Sequence, residues 1–192
     1  MTHLSIIAGL GNPGDKHAQT LHNAGFWFVD ALAEKYGGSF RYDKKFDADY
    51  CRIDLHGDDV WLVKPQSFMN LSGGPVRAVL DYYRLHTDKL LVAHDEIDLP
   101  PGTVRLKMGG GHGGHNGIRD VIKHCGADFM RLRIGVGHPG EKSKVTNYVL
   151  RRGSADVESA VARNIDAAID VMPILLDAGL NAAMQRLHTK DG

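Results

Sequence analysis

A histidine and a carboxylate in this chain could together activate water. His22 lies in the segment HNAG (residues 22–25), and Asp95 lies in HDEID (residues 94–98). A carboxylate that accepts a hydrogen bond from a histidine fixes the tautomer of the ring, and the free ring nitrogen can then take a proton from water. The chain has no GxSxG motif and neither cysteine lies in a catalytic motif, so water is the expected nucleophile. A lone histidine before a helix is more often a surface or capping residue, and the hypothesis therefore depends on Asp95.

Two asparagines could hold a substrate. Asn12 stands in GLGNPG and Asn70 in KPQSFMNLSG. A side-chain amide carries both donors and an acceptor, which suits contact with an amide or a carbonyl group. Both segments also have purely structural interpretations, as a tight turn and as a helix-capping loop. GLGNPG matches the dinucleotide pattern GxGxxG, but no helix is predicted to begin inside it, which disfavours a nucleotide site.

Two histidines three residues apart, His112 and His115, invite a zinc interpretation. A zinc site needs at least a third ligand, and neither the flanking residues nor the two cysteines offer one at a familiar spacing. The carboxylates of HDEID could bind a divalent ion or do acid–base work, and they could equally belong to a polar turn. We expect no metal and no other cofactor, and we expect the glycines of residues 109–117 to let the backbone approach a ligand closely.

The elements that must position these residues alternate between strands and helices. Hydrophobic periodicity and turn residues predict strands at 4–8, 49–55, 60–63, 90–93, 104–108 and 132–136, and helices at 24–36, 75–86 and 116–124. A helical tail follows from about residue 154, broken or kinked near Pro173 and Gly179. This alternation predicts one α/β domain over residues 1–192 with a central sheet. Asn12, Asn70 and Asp95 each follow or end a strand, where the ligand crevice of an open α/β sheet lies.

Composition and charge narrow the class of protein. The 192 residues are 43% hydrophobic and 24% charged, which is ordinary for a globular domain, and no apolar run is long enough to span a bilayer. The absence of a signal peptide and of a disulfide framework favours the cytoplasm. The formal net charge is zero, yet residues 101–152 carry ten lysines and arginines against three acidic residues, a net charge of +7. Such asymmetry fits a nucleic-acid-facing surface as well as it fits unrelated solvated faces.

In this order the motifs resemble those of bacterial peptidyl-tRNA hydrolases. GLGNPG, HNAG, KPQSFMNLSG, HDEIDLPPG, GGGHGGHNG and RLRIGVGHP cover roughly residues 5–150, and the tail is similar to the C-terminal helices of that family. The resemblance implies a twisted mixed β-sheet surrounded by helices, and metal-free hydrolysis of the ester between a peptide and its tRNA. It further implies a cytoplasmic monomer that acts in translation and ribosome rescue, with peptidyl-tRNA as its partner and no membrane contact.

The resemblance also assigns roles to single residues. His22 is then the general base, Asp95 orients it, and Asn12 distinguishes a blocked from a free amino terminus. Two further groups follow from the same resemblance: substrate or tRNA 3′-end contacts at Phe68, Asn70 and Asn116, and tRNA phosphate contacts at Arg105, Lys107 and Arg133. The first loop departs from the family pattern Tyr-x-x-Thr-Arg-His-Asn, because His17 replaces the tyrosine, a substrate contact, and Leu21 replaces the arginine.

Two other functions remain open on the sequence. One is an RNA- or nucleotide-binding protein without catalysis, which would have no need of His22 together with Asp95. The other is a metallohydrolase that uses His112, His115 and Asp95, which activity in the presence of a chelator would exclude.

Overall fold

Seven strands form one mixed sheet in the computed structural model, which describes residues 4–189. The strands are β1 (Ile6–Gly9), β2 (Arg41–Asp43), β3 (Ala48–Leu55), β4 (Asp58–Pro65), β5 (Leu90–Glu96), β6 (Val104–Met108) and β7 (Met130–Gly135). Their order is β2-β3-β4-β1-β5-β7-β6, with β4, β1, β5 and β7 parallel and the strands at both edges antiparallel. The predicted α/β class with a mixed sheet is confirmed.

Helices cover both faces of the sheet. They are α1 (Ala24–Tyr36), α2 (Gly73–Tyr82), α3 (Asn116–Cys125), α4 (Val145–Val149), α5 (Ala155–Ala178) and α6 (Leu180–Thr189). One core packs α1, α5 and α6 against the sheet, and the other packs α2 and α3 against the opposite face. In β1, Ile7 belongs to the first core while Ile6 and Ala8 belong to the second, as the alternation of side chains along a strand requires. Because both faces are covered, β1 is buried throughout and its sequence is uniformly apolar.

Most of the predicted elements are present, with shifted ends. The bounds of α1 and β6 agree with the prediction, and Gly37 ends α1 in the left-handed conformation, with φ 75°. The helix predicted for residues 75–86 begins at Gly73 and ends at Tyr82, and the strand predicted for 132–136 spans Met130–Gly135. The tail is not broken at Pro173, because α5 continues through it to Ala178; the predicted break near Gly179 is present, since Gly179 separates α5 from α6.

One short strand, β2, and one short α-helix, α4, were not predicted from the sequence. The edge strand β2 has no buried residue, and α4 has only one, Val149, so neither presents the apolar periodicity on which the prediction relied. Within residues 4–189, none of the helices combines the length and the hydropathy needed to cross a bilayer.

Candidate active site

The carboxyl ends of β1, β4 and β5 meet at one cleft. These three strands are adjacent and parallel, so the segments that follow them emerge at the same edge of the sheet. The cleft encloses about 630 Å³. Of the residues singled out in the sequence, it is lined by Asn12, His22, Phe68, Asn70, Asp95 and Asn116. His17 is not among the lining residues; it is half-buried in a 3₁₀ turn, where its carbonyl accepts hydrogen bonds from the Thr20 backbone and hydroxyl.

Close packing of two glycines brings His22 to Asp95. A Cβ on Gly25, at the start of α1, would lie 2.3 Å from the carbonyl oxygen of Ala93 in β5. A Cβ on Gly9, at the end of β1, would lie 2.2 Å from the carbonyl oxygen of Gly25. At either position, any side chain with a Cβ would displace the neighbouring backbone, so only glycine fits. The helix therefore rests directly on the strand ends, and His22 in the turn before it reaches the carboxylate.

Asp95 accepts hydrogen bonds from two histidines. Nδ1 of His22 lies 2.9 Å from both carboxylate oxygens of Asp95, and Nε2 of His115 lies 2.8 Å from its Oδ1. The His115 tautomer follows from its other ring nitrogen, because Nδ1 accepts the backbone N–H groups of Gly117 and Ile118 at the start of α3. The His115 proton therefore resides on Nε2 and is donated to Asp95.

This arrangement leaves one nitrogen of His22 available as a base. Asp95 has no proton to donate while it is ionised, so His22 must donate its Nδ1 proton, and its Nε2 carries a lone pair. His22 lines the cleft and keeps 11% of its side chain exposed, whereas Asp95 is exposed by only 2%. The His22–Asp95 pair predicted from the sequence is present, with its carboxylate shielded from solvent and its ring at the cleft.

The electrostatics of the pair favour the charged forms. Burial lowers the pKa of His22, but the charge of Asp95 and the hydrogen bond to it outweigh burial, so the pKa is raised overall. Burial raises the pKa of Asp95, yet its interactions with His22 and His115 bring that pKa well below the ordinary range. A neighbouring buried histidine, His94, behaves in the opposite way. Its burial, together with His115, lowers its pKa to about 4, so it is neutral at physiological pH.

Asn12 is fixed by hydrogen bonds to two neighbouring segments. Its backbone N–H donates to Oδ1 of Asn23 at 2.8 Å, and its carbonyl accepts from Nδ2 of the same residue at 3.0 Å. Its side-chain Oδ1 accepts the backbone N–H of Met69 at 2.7 Å. Within residues 4–189 the Asn12 Nδ2 has no protein acceptor, and Asn12 lines the cleft, so a donor remains for a ligand.

The other predicted contacts lie at the rim. Phe68 keeps 60% of its surface exposed, and Asn70, in the 3₁₀ turn Met69–Leu71, is also exposed. Asn116 is the exposed first residue of α3. An aromatic ring and two amides are therefore available to a ligand around the base.

The role of His115 and the apolar wall of this cleft were not predicted from the sequence. His115 was considered only as a metal ligand, although it hydrogen-bonds Asp95 and caps α3. The apolar wall was not anticipated, and it consists of Ile97, Val145, Val149 and Leu150. Val145 and Val149 belong to α4, Leu150 follows it, and Ile97 lies in the loop after β5. The apolar positions among residues 145–150 are the sequence signal that could have indicated this wall.

The nitrogen and oxygen atoms of His22, Asp95 and His115 could also be considered as metal ligands. One ligand atom from each lies within 4.8 Å of the others. His112, proposed for the metallohydrolase alternative, is not in this group, and its Nδ1 accepts the N–H of Gly114. The His115 proton lies between Nε2 and Asp95, so an ion would have to displace that proton. The donor set fits a hydrogen-bonded chain without an ion.

The basic residues of segment 101–152 differ in their exposure to solvent and in whether they bond to other protein groups. Lys107 is exposed on β6, and Arg133 on β7 is half-buried and bonded to Glu96 through its Nε, 2.9 Å from Oε1. Arg105 lies on β6 and is half-buried. Arg131 is only 2% exposed, so its charge is part of the interior and does not belong to a surface patch.

Comparison with known proteins gives one consistent result. Residues 6–192 match the family model described as "Peptidyl-tRNA hydrolase". The chain is 53% identical over 190 residues to the peptidyl-tRNA hydrolase of Xanthomonas campestris pv. campestris, covering 98% of each chain. It is 50% identical over 190 residues to that of Stenotrophomonas maltophilia, covering 98% of this chain and 99% of the relative. The crystal structure of peptidyl-tRNA hydrolase from Acinetobacter baumannii superposes with a TM-score of 0.95 at 45% identity, covering 98% of this chain and 96% of that one.

Proposed function

This chain belongs to the peptidyl-tRNA hydrolase family, and on that premise we propose that it hydrolyses the ester bond between a peptide and its tRNA, with His22 as the general base. The observation that carries the proposal is the hydrogen-bond chain His22–Asp95–His115 at the floor of the cleft. It supplies a base of fixed tautomer without requiring a cofactor.

In the proposed reaction, Nε2 of His22 takes a proton from water, and the resulting hydroxide attacks the ester carbonyl. The negative charge of Asp95 stabilises the imidazolium that forms, because the two groups are 2.9 Å apart and largely out of solvent. Returning that proton to the ribose oxygen completes the cleavage and leaves a free carboxyl group on the peptide. An ester has a better leaving group than an amide, so this apparatus is chemically sufficient.

The substrate contacts are proposed from the positions of three amides. Asn12 uses its oxygen to hold Met69 and keeps Nδ2 for the cleft, which suits the carbonyl of an acylated amino terminus or the oxyanion. Asn70 and Asn116 lie on the cleft rim, where they can hold the peptide and the tRNA 3′ end, and Phe68 can pack on either. His17 lies outside the cleft lining and is proposed only for contacts with a substrate that extends beyond it.

We further propose that three cations on β6 and β7 contact tRNA phosphates: Lys107, which is exposed, and Arg105 and Arg133, which are half-buried. The cellular role that follows is the release of tRNA from stalled peptidyl-tRNA, which includes ribosome rescue, by a cytoplasmic monomer with one domain over residues 1–192. Gel filtration and fractionation test the monomer and the compartment.

The decisive experiment measures release of labelled peptide from N-acylated aminoacyl-tRNA by the purified protein. We expect hydrolysis in buffer with a chelator, and loss of at least about a hundredfold in His22→Ala with tRNA binding retained. Binding without hydrolysis by the parent protein would favour the non-catalytic RNA-binding alternative, and loss of activity in chelator would favour the metallohydrolase.

A further inference from the structure

Asn23 occupies the N-cap position of α1 but does not cap that helix. Asparagine is among the residues preferred at an N-cap, because its side-chain oxygen can accept a backbone N–H of the first helical turn. Asn23 is only 2% exposed, and its side chain makes no capping bond in the part of the chain that the structure describes. It bonds instead to Asn12, eleven residues earlier, in the loop after β1. The local stabilisation of a helix cap is therefore given up for a contact between two segments.

The Asn23 amide pairs with both polar backbone groups of Asn12. Its Oδ1 accepts the Asn12 N–H at 2.8 Å, and its Nδ2 donates to the Asn12 carbonyl at 3.0 Å. A side-chain amide offers a donor and an acceptor side by side, as the backbone of a neighbouring strand does. The pairing of this segment with β5 ends at Leu10, whose N–H donates to the carbonyl of Ala93. Within residues 4–189, Asn23 is therefore the one protein partner of the Asn12 backbone.

The position of the Asn12 side chain depends on these two bonds. Its Oδ1 accepts the N–H of Met69 at 2.7 Å, which orients the amide group. The bonds from Asn23 hold the backbone from which that side chain extends. Both contacts are needed to place the Asn12 Nδ2 in the cleft, because a shift of the backbone would move the amide or break its bond to Met69.

The turn that carries Asn23 also carries the proposed base. His22 and Asn23 are consecutive buried residues of the 3₁₀ turn before α1, so their Cα atoms are about 3.8 Å apart. His22 bonds to Asp95 at 2.9 Å, whereas Asn23 bonds to Asn12. One turn therefore sets the base and the Asn12 amide relative to each other. Loss of the Asn23 side chain should move Asn12 and leave the bond between His22 and Asp95 in place.

We propose that Asn23 is a positioning residue for substrate selection, which holds Asn12 so that its Nδ2 can donate to the carbonyl of an N-acylated amino terminus. Asn23 is not among the described residues that line the cleft, so it acts on the substrate through Asn12. The inference rests on the proposed function, in which Asn12 distinguishes an acylated from a free amino terminus. Without Asn23, hydrolysis of the acylated substrate should slow more than hydrolysis of the substrate with a free amine, which has no such carbonyl.

The first test measures the backbone bond in the parent protein and needs neither a substrate nor a variant. Amide hydrogen exchange of the ¹⁵N-labelled full-length protein is compared at Asn12 and at the exposed Gly14, whose N–H has no acceptor within residues 4–189. After correction for intrinsic rates, we expect the Asn12 N–H to exchange at least about a hundredfold more slowly than that of Gly14. Equal exchange at the two residues would overturn the proposal. This result stands apart from any failure of the proposed esterase activity.

The second test measures selectivity as the ratio of kcat/KM for N-acylated aminoacyl-tRNA to kcat/KM for the same tRNA with a free amine. Asn23→Asp keeps the acceptor oxygen and loses the donor. The control is Asn164→Asp on α5, a residue 3% exposed and outside the cleft lining, whose Nδ2 donates to the carbonyl of Thr103 at 3.2 Å. We expect the ratio to fall about tenfold in Asn23→Asp, as for the loss of one hydrogen bond, and to stay parental in Asn164→Asp. Equal losses on both substrates would refute a role in selection.

The third test asks whether Asn23 acts through Asn12. Asn12→Ala removes the amide that Asn23 positions, so adding Asn23→Asp to it should leave the selectivity ratio of Asn12→Ala unchanged. A further fall of the ratio in the double variant would contradict the proposal. Asn23→Ala, which adds no charge beside His22, should keep the parental acid limb of kcat/KM for the acylated substrate, because the bond of His22 to Asp95 remains. A shifted limb would assign the effect to the base and remove Asn23 from substrate selection.

Discussion

Replacing Asp95 by asparagine tests the hydrogen-bond chain at its centre. Asp95 accepts from His22 Nδ1 and from His115 Nε2, and the His115 tautomer is fixed by the N–H groups of Gly117 and Ile118. An asparagine has one acceptor atom and one donor group in place of two acceptors. Its oxygen must face His115, since the opposite orientation would bring two donors together. Its NH₂ group then faces His22 and requires Nδ1 to accept, which moves the proton to Nε2.

The expected magnitude follows from the two interactions that change. A hydrogen bond to a charged group contributes about 1.5–3 kcal/mol, and its loss from the imidazolium in the transition state corresponds to roughly 10- to 150-fold in rate. The unfavourable tautomer adds to this loss. We therefore expect the plateau rate of Asp95→Asn to fall at least about a hundredfold, within the range of positioned general-base catalysis.

The pH dependence should change in a defined direction. Burial lowers the pKa of His22, and the charge of Asp95 together with its hydrogen bond more than reverses that effect. Without the charge, the effect of burial remains, so the pKa falls and the free base persists at lower pH. The acid limb of kcat/KM should accordingly move to lower pH in Asp95→Asn.

The assay is single-turnover release of labelled peptide from N-acylated aminoacyl-tRNA as a function of pH. Asp98→Asn, an exposed carboxylate outside the cleft lining, is the matched control and should retain the parental profile. The double variant with His22→Ala should be little worse than His22→Ala alone, as expected for residues that act as a unit. A near-parental rate in Asp95→Asn with an unmoved acid limb would refute this reasoning.

Three further outcomes are expected. Asn12→Asp keeps the acceptor for Met69 but replaces the free donor by a negative charge, so the preference for N-acylated over free aminoacyl-tRNA should narrow; an unchanged ratio of the two rates would remove Asn12 from discrimination. Gly25→Ala should lower the free energy of unfolding by about 1–3 kcal/mol and reduce activity, because its Cβ would meet the carbonyl oxygen of Ala93. Gly74→Ala is the control, because a Cβ there meets nothing within 4 Å; equal melting temperatures of Gly25→Ala and the parent protein would contradict the packing argument. The logarithm of kcat/KM for full-length acylated tRNA should fall linearly with the logarithm of salt concentration, and Lys107→Ala should reduce the magnitude of that slope by about one. If kcat/KM of the parent protein does not depend on salt, the basic residues of β6 and β7 do not contact tRNA phosphates.

The sequence alone predicts those features that depend on local signals. The apolar periodicity of α1 and the glycine that follows it give both ends of the helix, and alternating strands and helices give the α/β class. The pairing of His22 with Asp95 could be predicted because Asp95 ends an apolar strand, where the ligand crevice of such a sheet lies, and because a histidine and a carboxylate have defined parts in activating water. These predictions need only the order of the elements and the chemistry of the side chains.

Tertiary structure decided which partner each polar group has. The sequence gives no sign that His115 donates to Asp95, because its tautomer depends on backbone N–H groups exposed at the start of α3. Nor could the sequence distinguish Arg131, buried against loop carbonyls, from Arg133, two positions later and bonded to Glu96. Both arginines lie on one strand in the same basic segment, and only the elements packed around β7 place one inside and leave the other partly exposed. Hydrogen bonds between segments distant in sequence depend on packing, and packing is a property of the whole fold.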